Sequence, residues 1–494
     1  MRSWWRSGLI VVLAACGEVH PSFEDASPGG DDAAATDAAV AIDAAPACAA
    51  GEVSCDGNAP RVCTAAGVWE TAAACVDQTC VAGACQGVCA PGQRACTATT
   101  SSVCDAAGAW TVTDLRVPRA TRTVGGALDE TLVYRGGFAA HPDGGYVLAG
   151  TRGPAGQGDF HVVRLAADGA LRWERAYGSG DDGATSVLPV PGGVIACGNL
   201  GPGSLGCTAG RVCSTCTRLD DSGAVVWQRV WPGANRDVNV GVAVAATDTG
   251  FLLAGTTTDS DAWLDVAATT IDLAGAAGTT RTFSRDGEDA AFDLRRAPDG
   301  TYLLAGYTNA WRSCQQPWLM RFDAAGTLRS SYPAGPCTVE SAGAMGDQRG
   351  YGAAVLPLAD GSAIMVGRQW DGANRSQGFI AKVAPLDVPV QAWRRLHGGA
   401  GDEVINAVEL LPDGGFLLAG TSTTGSAGGN DLWLVRTDAA GNALWSRTYG
   451  GAGDDTGVSI ARTPDGTYLI AGSTASTGAG GKDYWLLDVP VVCE

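Results

Sequence analysis

Pairs of acidic residues end one short loop after another in this chain: GSGDD over Gly178 to Asp182, GGAGDE over Gly398 to Glu403, and GGAGDD over Gly450 to Asp455. Looser versions stand at Asp129-Glu130, Asp237, Glu288-Asp289 and Asp347. Carboxylates that return at one position could hold Ca²⁺, which takes about six to eight oxygens. The same residues can instead cap their own turns by accepting backbone N–H groups, and a position repeated along a chain usually serves the repeat. Capping is the expectation. Asp181, Asp182, Asp402, Glu403, Asp454 and Asp455 remain the candidate ligand or Ca²⁺ face, with no cofactor assigned.

Other chemistry is thinner. The histidines His20, His141, His161 and His397 fall in unrelated places, and no G-x-S-x-G elbow or HExxH helix is present. Two carboxylates could act as general acid and base on a glycan, but the acids here are interchangeable, so no catalytic residue is named. Cys213-x-x-Cys216 has redox spacing yet sits on a predicted strand, away from the helix start that would stabilise a thiolate. A disulfide is the expectation there.

What must position these residues is a repeat. An apolar strand ending in glycine returns seven times, at Gly150, Gly198, Gly255, Gly306, Gly367, Gly420 and Gly472, spaced 48 to 61 residues apart. In the cleanest unit, VINAVELL (Val404 to Leu411) leads through Pro412-Asp-Gly-Gly415 to FLLAG (Phe416 to Gly420). DLWLVRTD (Asp431 to Asp438) and ALWSRTY (Ala443 to Tyr449) follow. Four strands in about fifty residues, repeated, predict an all-β fold, a seven-bladed β-propeller. The seventh unit lacks its fourth strand, and TRTVGGALDE (Thr121 to Glu130) matches SRTYGGAGDD (Ser446 to Asp455). The N-terminal segment is therefore expected to pair into the last blade and remove two open sheet edges.

Four regions are expected: 1–15, 16–47, 48–117 and the propeller 118–494. Arg2, Arg6 and the apolar run Leu9 to Leu13 make a signal peptide, and Leu13-Ala-Ala-Cys16 resembles the bacterial lipobox. That resemblance implies acylation of Cys16 and a stable lipid anchor. With Gly17 following, it also implies sorting to the outer membrane, on the periplasmic or cell-surface side. Residues 17–47 are rich in alanine and aspartate without Lys or Arg, which predicts a disordered tether. Net charge is −19, and cleavage would remove two arginines, so nucleic acid is excluded as a partner.

Cys48, Cys55, Cys63, Gly67 and Trp69 recur 41 residues later as Cys89, Cys96, Cys104, Gly108 and Trp110. A duplicated module this dense in cysteine implies disulfides in an oxidising compartment rather than zinc, since no histidine lies in it. The module holds nine cysteines and the propeller seven, so one bridge between them would balance the count. Cys493 to Cys104 or Cys89 is the expected bridge, Cys314 is expected to pair with Cys337, and Cys197, Cys207, Cys213 and Cys216 are expected to pair locally.

The pattern Asp438-Ala-Ala-Gly441-x-x-x-Trp445, with Asp220 to Trp227 and Ala167 to Trp173, resembles that of quinoprotein-type propellers and of bacterial surface propellers with tandem repeats. Quinoprotein dehydrogenases imply eight blades and an adjacent-cysteine disulfide, whereas this chain has seven repeats and no Cys-Cys pair. Trp173, Trp227, Trp393 and Trp445 are read as packing between blades. The functional expectation is a membrane-anchored, non-enzymatic binding or scaffold module. Its partner would be an envelope or extracellular protein or polysaccharide. The alternative is an exported enzyme, either a divergent quinoprotein or a glycan-cleaving propeller.

Overall fold

The computed structural model describes residues 48–490 except 98, 133–134, 155–156, 208–209, 211, 233–239, 259–262, 286, 310–314, 333–349, 371–374 and 464–465. Cys16, the expected tether, Cys314, Cys337 and Cys493 lie outside the described residues.

Alternating apolar strands and glycine turns fold as the repeat predicts. Seven antiparallel propeller sheets follow one another among the described residues, six with their strands in chain order from the centre outward and the seventh completed by a strand from the N-terminal side. Blade 6 comprises Glu403–Leu410, Phe416–Ser422, Asp431–Thr437 and Ala443–Tyr449. Its two middle strands are buried at every position, while the outer strand is mostly exposed and buries only Trp445 and Tyr449. The innermost strand of blade 1 is split into Asp129–Thr131 and Phe138–Ala140, both paired with Tyr146–Gly153.

The ring closes with strands from both ends of the propeller. Ala120–Val124 runs antiparallel to Asp483–Val489 and is the fourth strand of blade 7. Trp485 Nε1 donates to Thr121 Oγ1 at 2.7 Å across this pair. No sheet edge is left between the first and last blades, which is what closure achieves for a repeated sheet.

The glycine that marks every repeat has a backbone cause. Opposite it, the first strand carries a register shift of the β-bulge type, as between Ile405 and Ala407, Gly457 and Ser459, or Ala291 and Asp293. The bulge pushes a carbonyl toward the second strand. A Cβ at Gly420, Gly472 or Gly306 would collide with the carbonyl oxygen of Val404, Thr456 or Ala290 respectively. Only glycine fits there.

The core is a ring of seams rather than one centre. Leu417, Leu434, Ile460 and Leu487 share one cluster across blades 6 and 7, and Leu252, Val266, Leu304 and Met320 share another across blades 3 and 4. Leu148, Val163, Leu469 and Leu486 close the ring across blades 7 and 1. Each blade therefore depends on both neighbours for its burial.

The cysteine-rich region is stapled as two copies of one unit, strands Val53–Asp56, Ala59–Cys63 and Trp69–Thr71, then Arg94–Cys96, Thr100–Cys104 and Trp110–Asp114. Cys48 bonds Cys63 and Cys89 bonds Cys104, each pair 15 residues apart. This overturns the expected bridge from Cys493 to Cys104 or Cys89. The duplication carries its pairing with it: Gly51 N donates to Cys63 O and Gly92 N to Cys104 O, at 2.9 Å in both copies. Cys55 bonds Cys80 and Cys75 bonds Cys85. Cys96, the second-copy equivalent of Cys55, is also disulfide-bonded.

Candidate functional site

The acidic pairs lie where the chain crosses from the outer strand of one blade to the inner strand of the next. The structure divides each pair into two jobs. The first acid is exposed at Asp181, Asp402 and Asp454, and the second is buried at Asp182, Glu403 and Asp455. Asp402 Oδ1 accepts from Ser376 N at 2.8 Å and Ser376 Oγ at 3.1 Å, on the preceding blade. Asp454 Oδ1 likewise accepts from Asn430 N at 3.0 Å.

The second acid caps the loop it ends. Glu403 Oε2 accepts from Gly399 N at 3.0 Å, and its Oε1 accepts from Ser422 Oγ and Thr424 Oγ1 at 3.2 and 2.5 Å. Asp455 Oδ2 takes Gly451 N at 2.8 Å and Ser476 Oγ at 2.6 Å. Asp182 Oδ2 takes Ser179 N and Ser204 Oγ, both at 2.7 Å. The acid's own N–H then hooks the previous blade: Glu130 N to Lys482 O, Asp182 N to Gly158 O and Asp455 N to Asn430 O. The oxygens named here accept from N–H and O–H donors, while Asp455 Oδ1 is buried without a hydrogen-bond partner. Among the described residues, no group of three or more His, Cys, Asp and Glu side chains is arranged to hold a metal.

A third set of acids escaped the sequence reading. Asp431, Asp483 and Asp265 lie at the start of a third strand, buried, beside the capping acid of the next blade. A methyl on Gly450 would lie 2.5 Å from both Asp431 Oδ1 and Asp455 Oδ2, so this glycine leaves room for two facing carboxylates. Burial raises the Asp431 carboxyl, and Asp455 adds to the rise. Burial likewise raises Glu130, with Asp483 adding to it, and pushes Asp289 up to about 6, with Asp265 adding. The signal in the sequence was an aspartate two residues before a tryptophan, in DLW and DYW, within otherwise apolar strands.

Of the histidines, His161 occupies the register that Trp433 and Trp485 fill in other blades, opposite Gly150 as they oppose Gly420 and Gly472. It is buried, with Nε2 3.5 Å from Glu174 Oε2 and Nδ1 3.2 Å from Tyr484 Oη. Burial holds its pKa down at about 4. It is a core imidazole, closed to a substrate. His397 borders a cavity of about 520 Å³ between blades 5 and 6, beside the GGAGDE loop. Ser422, Thr424, Trp433, Ser446 and Arg447 line the same cavity, and Trp433 Nε1 donates to Ser446 Oγ at 2.6 Å.

The four blade-2 cysteines pair within their blade, Cys197 with Cys216 across neighbouring strands and Cys207 with Cys213. Cys213 and Cys216 thus have separate partners and form no redox couple with each other.

Fold and sheet order define a β-propeller protein, and a family model described as a β-propeller domain of unknown function, DUF5122, matches residues 141–171 in blade 1. Comparison with curated proteins found no match. Among solved structures, an ulvan lyase of polysaccharide lyase family 25 is 12% identical, covering 74% of this chain and 96% of its own, with a TM-score of 0.49. The Pan2 WD40 domain of Neurospora crassa is 11% identical over 74% of this chain and 97% of that one, with a TM-score of 0.44. The Pseudomonas aeruginosa periplasmic gluconolactonase PpgL is 15% identical over 70% and 99%, with a TM-score of 0.39.

Proposed function

We propose that this chain is an extracytoplasmic binding module, anchored through Cys16, that presents its loop face to a polysaccharide of the envelope or surroundings. The observation that carries the reading is the cavity between blades 5 and 6. Hydroxyls of Ser422, Thr424 and Ser446, the Arg447 guanidinium and the Trp433 indole line it. Sugars are recognised by such mixtures of hydrogen-bonding groups and an aromatic surface. The loops around it are held by Glu403 from below, so the site is preformed and little ordering cost attends binding. Disulfides in both the module and blade 2 support an oxidising compartment.

The test is a glycan array probed with the mature chain and with Arg447→Ala. Saturable binding to a polysaccharide, weakened about tenfold or more in the variant, supports the module, since a charge-assisted contact is worth about 1.5 kcal/mol or more. Binding that ignores Arg447→Ala removes this cavity as the site. Cleavage of the bound glycan would place the chain among exported enzymes instead. Anchoring is read separately, by labelled palmitate incorporation that Cys16→Ser should abolish.

A further inference from the structure

The loop-face ends of the two inner strands of blade 5 break the repeat. In blades 1, 2, 3, 6 and 7 a small polar residue follows the marker glycine: Thr151, Asn199, Thr256, Thr421 and Ser473. Blade 5 has Arg368 there, on the strand Ala363–Trp370. Register sets Arg368 opposite Tyr351, where the next two blades pair Val404 with Thr421 and Thr456 with Ser473. Blade 4 departs in a related way, with Tyr307 after Gly306 and Phe292 at the bulge of its first strand. The same bulge position holds Asn406 in blade 6 and Val458 in blade 7.

Trp370 and these four side chains touch in series across the seam between blades 4 and 5. The Arg368 guanidinium lies over Trp370 at 4.2 Å and over Tyr351 at 5.1 Å from the ring centroids. Tyr351 meets Phe292 at 5.2 Å, and Phe292 meets Tyr307 at 5.9 Å. All five are half-buried. Packing against two rings restrains the arginine, so little ordering remains for a ligand to impose. Among the described residues Arg368 makes no ion pair and no hydrogen bond. Its Nε is buried without a partner, whereas Nη1 and Nη2 are not enclosed in this way. Other strand arginines differ, since Arg152, Arg164, Arg321 and Arg436 each hold a carboxylate. In a chain with 52 acidic residues, an arginine set between rings and left without a counter-ion is a donor lacking its acceptor.

We propose that Arg368, held by Trp370 and Tyr351, binds a single carboxylate on a sugar, a uronate residue set in an otherwise neutral glycan. The guanidinium fork matches a carboxylate through two parallel N–H···O bonds. The half-buried rings beside it offer apolar surface to the sugar that carries the carboxylate. Overall charge restricts the ligand to an isolated anion. Arg368 supplies one positive charge, and a molecule of net charge −19 repels a polyanion. The inference rests on the polysaccharide reading and narrows it. Its site is separate: Arg368 is on an inner strand of blade 5, whereas Arg447 is on the outer strand of blade 6.

Isothermal titration of the full chain tests it with three probes: an aldobiouronic acid (one uronate joined to one neutral sugar), its carboxyl-reduced form, and polygalacturonate. Saturable binding of the acid disaccharide is expected, about tenfold tighter than the reduced form, which lacks the charge-assisted pair. Arg368→Gln should bring the acid disaccharide down to the level of the reduced one. Arg368→Lys keeps the charge without the planar fork and should fall between the two. It also carries the test if Arg368→Gln fails to fold. Per uronate, polygalacturonate should bind no more tightly than the disaccharide. No preference for the acid disaccharide, or wild-type binding in a folded Arg368 variant, overturns the proposal. A singly charged glutamyl peptide that binds more tightly would give the site to a protein partner and overturn it as well. Neutral-glycan binding that is lost in Arg447→Ala and indifferent to Arg368 would keep the polysaccharide module and reject this site.

Discussion

At the scale of single residues, the carboxylates of the loop face are parts of a joint. The exposed acids Asp402 and Asp454 hold the preceding blade, the buried ones cap their loops, and at Asp455, Glu130 and Asp289 a further acid presses in from the neighbouring third strand. Two facing buried carboxylates cannot both ionise cheaply. Asp289 shows the consequence: its pKa is raised to about 6 by burial, with Asp265 contributing. A carboxyl raised in the folded state favours folding while protonated, and that contribution is lost as pH climbs through about 6. Asp289→Asn keeps an acceptor for Arg285 N, which donates to Asp289 Oδ2 at 2.8 Å, and removes the charge. Its melting temperature should exceed that of the wild type more at pH 7 than at pH 4. The excess should be roughly 1 kcal/mol, allowing for screening by nearby water. A constant difference across that window would reject the argument. His161 works in the opposite direction, with a pKa of about 4, so its contribution is lost as pH falls from the ordinary imidazole range through that value.

At the scale of elements, the glycine ending each second strand and the bulge opposite it are one device. Gly420→Ala would drive Cβ into the Val404 carbonyl, and the nearest atoms, of Val404 and Ile405, are all backbone with no side chain free to yield. A loss of about 2 kcal/mol or more in denaturant unfolding is expected. By contrast, Gly361→Ala, in a turn with nothing within 4 Å of the added methyl but φ at 76°, should cost only about 1 kcal/mol, the penalty of a left-handed backbone. The cysteine module is an element of another kind. Its two copies repeat one disulfide, Cys48–Cys63 and Cys89–Cys104, and non-reducing peptide mapping should recover both. The same map identifies the residue bonded to Cys96.

For the whole molecule, stability depends on the ring being shut. Seven seams each need two blades, and the seam between blades 7 and 1 exists only because Ala120–Val124 crosses to Asp483–Val489. A chain starting at residue 118 should stay monomeric, whereas one starting at residue 125 would expose the Asp483–Val489 edge. Such an edge recruits another strand. Size-exclusion chromatography should show the second as dimers or larger species with a lowered melting temperature. If both behave alike, the closing strand contributes little.

The blade count, the four strands in each and the origin of the closing strand were all legible in the amino-acid order. They rest on local patterns, apolar alternation and glycine turns, that recur at fixed spacing. Capping by the acidic pairs was legible for the same reason, since a loop's N–H groups are satisfied by residues close in the chain. Three things waited for the folded molecule. The facing acids Asp431 and Asp455 are 24 positions apart and meet only when two blades pack. The correct partners of Cys89 and Cys104 follow the geometry of their duplicated unit, which a count of odd and even cysteines does not contain. The exact register of the closing strand, Ala120 against Asp488, is set only by ring closure, which brings together segments that the chain keeps farthest apart.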